Sequence, residues 1–427
     1  MKKRKNYDIL VMGFALFAMF FGSGNVLFPP YLGMIAGKQW LPASLAYLIS
    51  DILMAMLAII VMVKSDGRLS AITGRIGGKA SHFLNLVVML CICPLFVVPR
   101  SSAATFDVIA PLFGLSNSKM SVLIFTAIFF ILVYYLTAVP SKVMSIIGNI
   151  LTPILLISIA VLVFKGVFTP AGELAATPHA ESVIQEGIIT GYHSMDLFGS
   201  LNLGLVIIAT AYSRGYRQKE EMIEVVKKST IICAALLVLI TFGLAYLGST
   251  SSQIFDQSAS QSTLIYKIST LLFGQIGGTI VALTVGLACF TTASGLIAGT
   301  ANYFEEVLPV KMSYKRLVFY ACLLSGIIAN FGFDMLVKLT VPVLTVTFPV
   351  TIVLTILSLF GNRIKKDSVF KGAALGTLIG TILTVLSEQF HVDFVIDAYL
   401  PFFEQGFGWL LLAVIGIVIG YFWLEKA

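Results

Sequence analysis

The sequence predicts an all-α polytopic membrane protein of twelve transmembrane helices. Of its 427 residues, 58% are hydrophobic and 11% charged, and the mean hydropathy is +0.96, whereas soluble domains carry about 25% charged residues. The apolar residues gather in runs close to the roughly 20 residues that a bilayer crossing needs, and a chain this long holds about twelve of them. Successive loops alternate sharply in Lys and Arg content, as loops on opposite sides of a membrane do.

Apolar runs bounded by charge or by Gly, Pro and Asn clusters place the spans at 8–30, 41–63, 82–113, 120–138, 142–164, 189–213, 229–248, 277–302, 316–331, 334–360, 370–387 and 407–424. The first follows MKKRKN and has no small-residue cleavage site after it, so it reads as a retained span and not a secretory leader. The stretch 260–275 is amphipathic and too short to cross; it reads as a helix lying on the surface. One set of loops receives Lys2 to Lys5, Lys64, Arg68, Arg75, Lys79, Lys142, Arg214, Arg217, Lys219, Lys227, Lys228, Lys311, Lys315, Arg316, Arg363, Lys365, Lys366, Lys371 and Lys426. The other receives Lys38, Lys119, Lys165 and Lys267, and its longer loops are acidic or neutral. By the positive-inside rule both termini are cytoplasmic. The same asymmetry accounts for the net charge of +7 and pI of 9.0 without a nucleic-acid partner. Nothing points to an obligatory protein partner, so the expected partners are the lipid bilayer and a small molecule. Cys91, Cys93, Cys233, Cys289 and Cys322 all sit in apolar runs and read as small buried hydrophobes.

Binding sites in transporters are built where membrane helices break and free backbone groups. The first span carries Gly22-Ser23-Gly24-Asn25 and then Pro29-Pro30, poor helix material. The sixth carries Asp196, Gly199, Ser200, Asn202 and Gly204 within nine positions. Spans one and six are equivalent if spans one to five and six to ten are repeats, and an odd repeat length gives the halves opposite topology. In the eighth span, Thr291 and Thr292 with the Ala288 carbonyl offer hard oxygens without a carboxylate, a set suited to a weakly held monovalent cation; the hydroxyls also suit bonding to the carbonyl one turn back. Arg100 and Asp107, about two turns apart, are expected to pair through neighbours or to lie near an aqueous vestibule. Pro94 and Pro99 are expected to kink that span, and Asp51 has no assigned partner.

Four of these segments, FGSGNVLFPP at 21–30, PLFVVPRSSAATFD at 94–107, GYHSMDLFGSLNLG at 191–204 and LACFTTASGL at 287–296, resemble those of the branched-chain amino acid:cation symporter family of bacterial inner membranes. That family lies within the amino acid, polyamine and organocation superfamily. The resemblance runs along nearly the whole chain. It implies one transmembrane transporter domain, 1–427, of the LeuT type: a first five-helix repeat at 8–164, a second, inverted one at 189–360, and two accessory helices at 370–424, with spans 1 and 6 discontinuous. It also implies sodium-driven import of leucine, isoleucine and valine, with no organic cofactor. By the same resemblance, sodium is held by the carbonyls of Ala18, Phe21 and Ala288 and the hydroxyls of Thr291 and Thr292. The substrate carboxylate meets amides around Ser23, Gly24 and Asn25, where the helix end is electropositive. The ammonium meets carbonyls near Phe198, Gly199 and Ser200, and Phe96, Phe198 and Leu203 are candidates for the apolar wall.

Alternatives stay open, among them a channel or a non-transporting sensor built on the same fold. An apolar pocket discriminates a methylene by only about 1–3 kcal/mol, so a methionine-like preference fits equally, and proton coupling would use Asp107 or Asp196. An intramembrane enzyme would use His193 and Asp196, three apart on one helical face, as an acid/base pair. No hydrolase, zinc-protease or P-loop motif accompanies that pair, so no enzymatic activity is expected.

Overall fold

The computed structural model describes residues 2–422 apart from 66, 117, 139–151, 309–310, 362, 391–399 and 404. The start of the predicted fifth span and Lys142, Asp393, Asp397, Glu404 and Lys426 lie outside the described residues. The chain is helical throughout its regular structure: α1 (Lys2–Phe20), α2 (Ser23–Ala36), α3 (Trp40–Leu48), α4 (Met54–Lys64), α5 (Gly78–Leu90), α6 (Val97–Ile109), α7 (Lys119–Thr137), α8 (Thr152–Phe168), α9 (Val183–Ser194), α10 (Asp196–Ser213), α11 (Lys219–Ser249), α12 (Gln261–Phe273), α13 (Gln275–Val307), α14 (Tyr314–Ala329), α15 (Phe333–Leu359), α16 (Asp367–Phe390) and α17 (Trp409–Phe422). Among the described residues, eight helical stretches are long and apolar enough to cross a membrane, and the shorter apolar helices Thr152–Phe168 and Trp409–Phe422 add to them.

Two compact units emerge: Met1–Met56 with Leu90–Lys338, and Leu57–Met89 with Leu339–Ala427. In the first, α2 is buried along its whole length except at Tyr31, the mark of a helix surrounded by protein. It packs on α11, α9 and α12, while α13 packs on α6, α10 and α1. The expected surface helix is present as α12, with Leu264, Ile265 and Ile268 on its buried face. In the second unit, α16 and α17 pair closely, and the Ser368 hydroxyl donates to the Gly420 carbonyl at 2.6 Å. Arg75 there forms an ion pair with Asp367, donates to the Ile364 carbonyl at 2.7 Å and lies 4.0 Å over the Phe370 ring.

The helix interruptions follow local chemistry. The chain breaks at Phe21-Gly22, where Gly22 is extended (φ −106°, ψ −159°), and α2 then runs through Pro29 and Pro30. So the glycine–serine cluster, and not the proline pair, ends the first helix. In the third predicted span Cys93 leaves helical geometry (φ −152°, ψ 124°) at Pro94. Pro99 makes no comparable break because it falls in the first turn of α6, where no intrahelical N–H is needed. All five cysteines are buried free thiols.

Candidate functional site

Between α9 and α10 a single residue, Met195, adopts the left-handed conformation (φ 66°). Its effect is to start α10 afresh at Asp196, so His193 and Asp196 do not share a helical face. The acid/base pairing expected from their spacing therefore has no helix to stand on. Asp196 turns instead to the other break. The Asn25 amide donates from Nδ2 to Asp196 Oδ2 at 2.7 Å and to the Phe20 carbonyl at 3.0 Å, and its Oδ1 accepts from the Tyr47 hydroxyl at 3.1 Å. One buried amide thus joins the end of α1, the start of α2, the start of α10 and α3. Asp51, unassigned from sequence, accepts from the Asp196 backbone N–H at 3.3 Å.

Arg100 also serves this junction. It is 1% exposed and among the largest fully buried side chains. Its terminal nitrogens donate to the carbonyls of His193 (2.8 Å) and Ser194 (3.4 Å), orphan acceptors at the end of α9. Its guanidinium carbon lies 5.1 Å from the Phe28 ring centre. Arg100 and Asp107, expected to pair through neighbours or to lie near an aqueous vestibule, meet different groups: Asp107 faces Ser262 of α12.

These groups surround a cavity lined by Met19, Phe20, Gly22, Ser23, Gly24, Val97, Arg100, Ser194, Met195, Asp196, Gly199, Leu203, Thr292 and Leu296. Its polar lining comes from Ser23, Ser194 and Asp196 at the two breaks with Arg100 of α6 and Thr292 of α13, and its apolar lining from Met19, Phe20, Val97, Met195, Leu203 and Leu296. Of the substrate residues expected from sequence, Ser23, Gly24, Gly199 and Leu203 line it, and Asn25 braces it from behind. Phe96, Phe198 and Ser200 do not line it. Phe96 sits half-buried where the chain bends after Pro94, and the next turn presents Val97 and Arg100 instead. Gly199 and Leu203 are one turn apart on the inner face of α10, which turns Phe198 and Ser200 away; the Ser200 hydroxyl donates to the Leu197 carbonyl at 2.6 Å. Sequence reasoning missed Met19, Phe20, Val97, Ser194, Met195 and Leu296 as wall residues, and named Arg100 without placing it. The cavity volume is ≈ 20 Å³, room for about one water molecule. A larger groove of ≈ 600 Å³ between α7 and α14 is lined by Phe130, Tyr134 and Phe319 among others. It is outward-facing and almost wholly apolar, and it lacks the converging polar groups that orient a substrate.

Beside the cavity, four of the five oxygens expected from sequence to ligate a cation come together. Thr291 Oγ1 lies 2.7 Å from the Ala18 carbonyl and 2.9 Å from the Ala288 carbonyl, and Thr292 Oγ1 lies 3.5 Å from the Ala18 carbonyl. The hydroxyls donate to the carbonyls, and each oxygen keeps lone pairs that a cation can use. Phe21, the fifth, is held by its amide on the Phe17 carbonyl (2.7 Å) and by its ring stacked on Phe17 at 5.1 Å. The donor set is oxygen only and free of carboxylates, which fits a hard monovalent ion. Asn202 ties the same helix to α10, donating to the Leu296 carbonyl at 3.1 Å and to Thr300 Oγ1 at 2.8 Å.

Residues 5–427 match the family described as "Branched-chain amino acid transport protein". The chain belongs to that family. The transporter is 34% identical to "Branched-chain amino acid permease BraB" of Bacillus subtilis (strain 168), over 97% of this chain and 95% of that protein. Its fold is similar to that of Mhp1, a nucleobase-cation-symport-1 family transporter solved in a closed conformation with bromovinylhydantoin bound (TM-score 0.63, 13% identity, 96% of this chain and 92% of that one). It is also similar to a Na+-coupled sialic acid symporter in a substrate-bound outward-open state (TM-score 0.59, 14% identity, 97% and 90%). The protein is therefore a multi-pass membrane transport protein and not an enzyme, as its motifs led us to expect.

Proposed function

We propose that this transporter is a secondary symporter that imports leucine, isoleucine and valine with sodium across a bacterial inner membrane, with both termini cytoplasmic. In this reading the chain is one transporter domain of twelve spans: inverted five-helix repeats at 8–164 and 189–360, two accessory helices at 370–424, and discontinuous first and sixth spans. The observation that carries it is the meeting of Ala18, Ala288, Thr291 and Thr292 oxygens next to a cavity bounded by two helix breaks. The relatedness to a branched-chain amino acid permease over nearly the whole chain supports the substrate class.

The mechanism follows from where these groups sit. The first-turn amides of α2 at Ser23 and Gly24 have no intrahelical acceptor, by helix geometry, and form an electropositive seat for the substrate carboxylate. The Asp196 carboxylate suits the ammonium group, and Val97, Leu203 and Leu296 suit the side chain. Pockets for small molecules run to about 300–1,000 Å³, so the ≈ 20 Å³ cavity must widen by separation of the helices that wall it, which is the motion alternating access requires. A sodium ion among the Ala18, Ala288, Thr291 and Thr292 oxygens links the end of α1 to α13. Holding α1 there also fixes the start of α2, so ion and amino acid each raise the affinity for the other, reciprocally.

The test is uptake of radiolabelled leucine into proteoliposomes under a sodium gradient, a proton gradient or neither, with valine, isoleucine and methionine as competitors. Sodium-driven accumulation blocked by these amino acids is the expected result. Accumulation only under the proton gradient would move coupling to Asp196 or Asp107, and block by methionine above the others would shift the preferred substrate.

Replacement of Thr291 by Val keeps the shape and removes the oxygen nearest the Ala18 carbonyl. We expect the sodium concentration for half-maximal uptake to rise about 10-fold, corresponding to the ~1.4 kcal/mol of one well-placed polar contact. Leucine half-saturation at saturating sodium should change little. A Thr291→Ala/Thr292→Ala double variant with wild-type sodium dependence would sink the assignment.

A further inference from the structure

We infer that Arg100 and Ser23 hold the carboxylate of the transported amino acid and make that carboxylate a condition of transport. This rests on the amino acid reading above and adds to it a side-chain salt bridge where helix amides alone were expected. Two buried polar atoms at the cavity have no partner within the protein, Arg100 Nε and Ser23 Oγ. Both residues are 1% exposed, and both line the same cavity. Leaving buried donors unmade is costly, and more so on a charged group, so native proteins rarely do it without a ligand or water to complete the set.

The arrangement selects the ligand's chemistry. The two terminal nitrogens of Arg100 are committed to the His193 and Ser194 carbonyls, and the Phe28 ring lies beside the guanidinium. This clamps the head and leaves its Nε edge over. A guanidinium has donors and no acceptor. The Ser23 hydroxyl and the amides that open α2 add donors on the same wall, at the electropositive end of a 14-residue helix. A wall of donors bearing a fixed positive charge takes an anion and repels an ammonium. Asp196, bonded to Asn25 at the start of the same α2, has the reverse preference, so one cavity offers an anion seat at Arg100 and Ser23 and a cation seat at Asp196, the two charges of a zwitterion. The apolar lining residues Val97, Leu203 and Leu296 suit the side chain.

Ser23→Ala and Arg100→Lys test this, scored by how well leucine and leucinamide, which lacks the carboxylate, compete for labelled leucine uptake in proteoliposomes. In the wild type we expect leucinamide to compete at least ~100-fold more weakly, since a site built to bind a polar group rejects an analogue without it. Ser23→Ala should narrow that gap about 10-fold, through weaker leucine binding with leucinamide unchanged, and Arg100→Lys should narrow it further. Arg100 also braces α9, so its variant is compared by thermal melting. Ser23 Oγ makes no hydrogen bond within the protein, and its variant carries the test if Arg100→Lys fails to fold. Leucinamide competing as well as leucine in the wild type, or an unchanged gap in Ser23→Ala, overturns the inference while leaving leucine transport standing. A wild type that takes up no branched-chain amino acid fails the underlying reading, and the inference falls with it.

Discussion

Asn25→Asp is expected to reduce uptake at least 100-fold, and Asp196→Asn in the same chain is expected to restore part of it. The Asn25 amide nitrogen lies 2.7 Å from Asp196 Oδ2, and both residues are buried. Replacing that nitrogen by oxygen turns a charge-assisted hydrogen bond into two acceptors facing one another. It also strips the Phe20 carbonyl of its donor at the end of α1. Removing one partner of a buried, hydrogen-bonded charge costs about 3–5 kcal/mol, and about 2.7 kcal/mol already corresponds to 100-fold. The reversed pair, with a carboxylate at position 25 accepting from an amide at position 196, rebuilds the link between the two breaks, while Tyr47 still donates to position 25. It cannot rebuild the bond to Phe20, and it moves the negative charge proposed for the substrate ammonium from position 196 to position 25, so recovery is partial. Uptake by all four members of the cycle, each checked for folding by thermal melting, measures the coupling, and we expect at least ~2 kcal/mol between the two sites. Additive losses would mean that the contact is incidental and that the two helix breaks are held together by other groups.

The breaks themselves were legible because small and polar residues stand out in apolar runs: Gly22-Ser23-Gly24 and Asp196 to Gly204 mark places where a lipid-facing helix is hard to build. Thr291 and Thr292 were legible for the same reason. What composition does not encode is rotation. Local spacing suggested Phe96, Phe198 and Ser200, whereas the cavity takes Val97, Gly199 and Leu203, because the bend at Cys93-Pro94 and the restart of α10 after Met195 set which face points inward. Partners distant in sequence were equally hidden. Arg100 meets carbonyls 93 and 94 positions away, and Asn25 meets a carboxylate 171 positions away. Spacing along one helix offered Arg100 only Asp107. The apparent His193–Asp196 pair failed on a single residue: a left-handed Met195 is a conformation that L side chains seldom adopt, and nothing in the methionine side chain announces it.

Gly33→Ala should be strongly damaging, with Gly286→Ala as its silent control. A Cβ at Gly33 would lie 1.8 Å from the Ala245 carbonyl oxygen, and one at Gly248 would lie 1.8 Å from the Pro30 carbonyl oxygen. The two contacts are reciprocal. Pro30 and Gly33 on α2 meet Ala245 and Gly248 on α11, one glycine from each helix admitting the other's backbone, the way membrane helices gain close packing without a hydrophobic driving force. Backbone atoms cannot swing aside as a flexible side chain would, so the helices must separate. Overpacking of this kind costs about 1–3 kcal/mol where side chains yield, and more where they cannot. We expect Gly33→Ala and Gly248→Ala each to lower the melting temperature by roughly 5 °C or more, at about 2–4 °C per kcal/mol for chains of ordinary domain size. At Gly286 the nearest atom to an added Cβ is a Thr105 methyl at 3.8 Å, ordinary contact, and stability and uptake should both be kept. Uptake should fall further than stability in the α2 variant, because the same helix carries Ser23 and Gly24 at its other end, and binding groups must be held to within about 0.5 Å. A folded Gly33→Ala protein with wild-type leucine half-saturation would show that α2 can shift along α11 without disturbing the amides it presents.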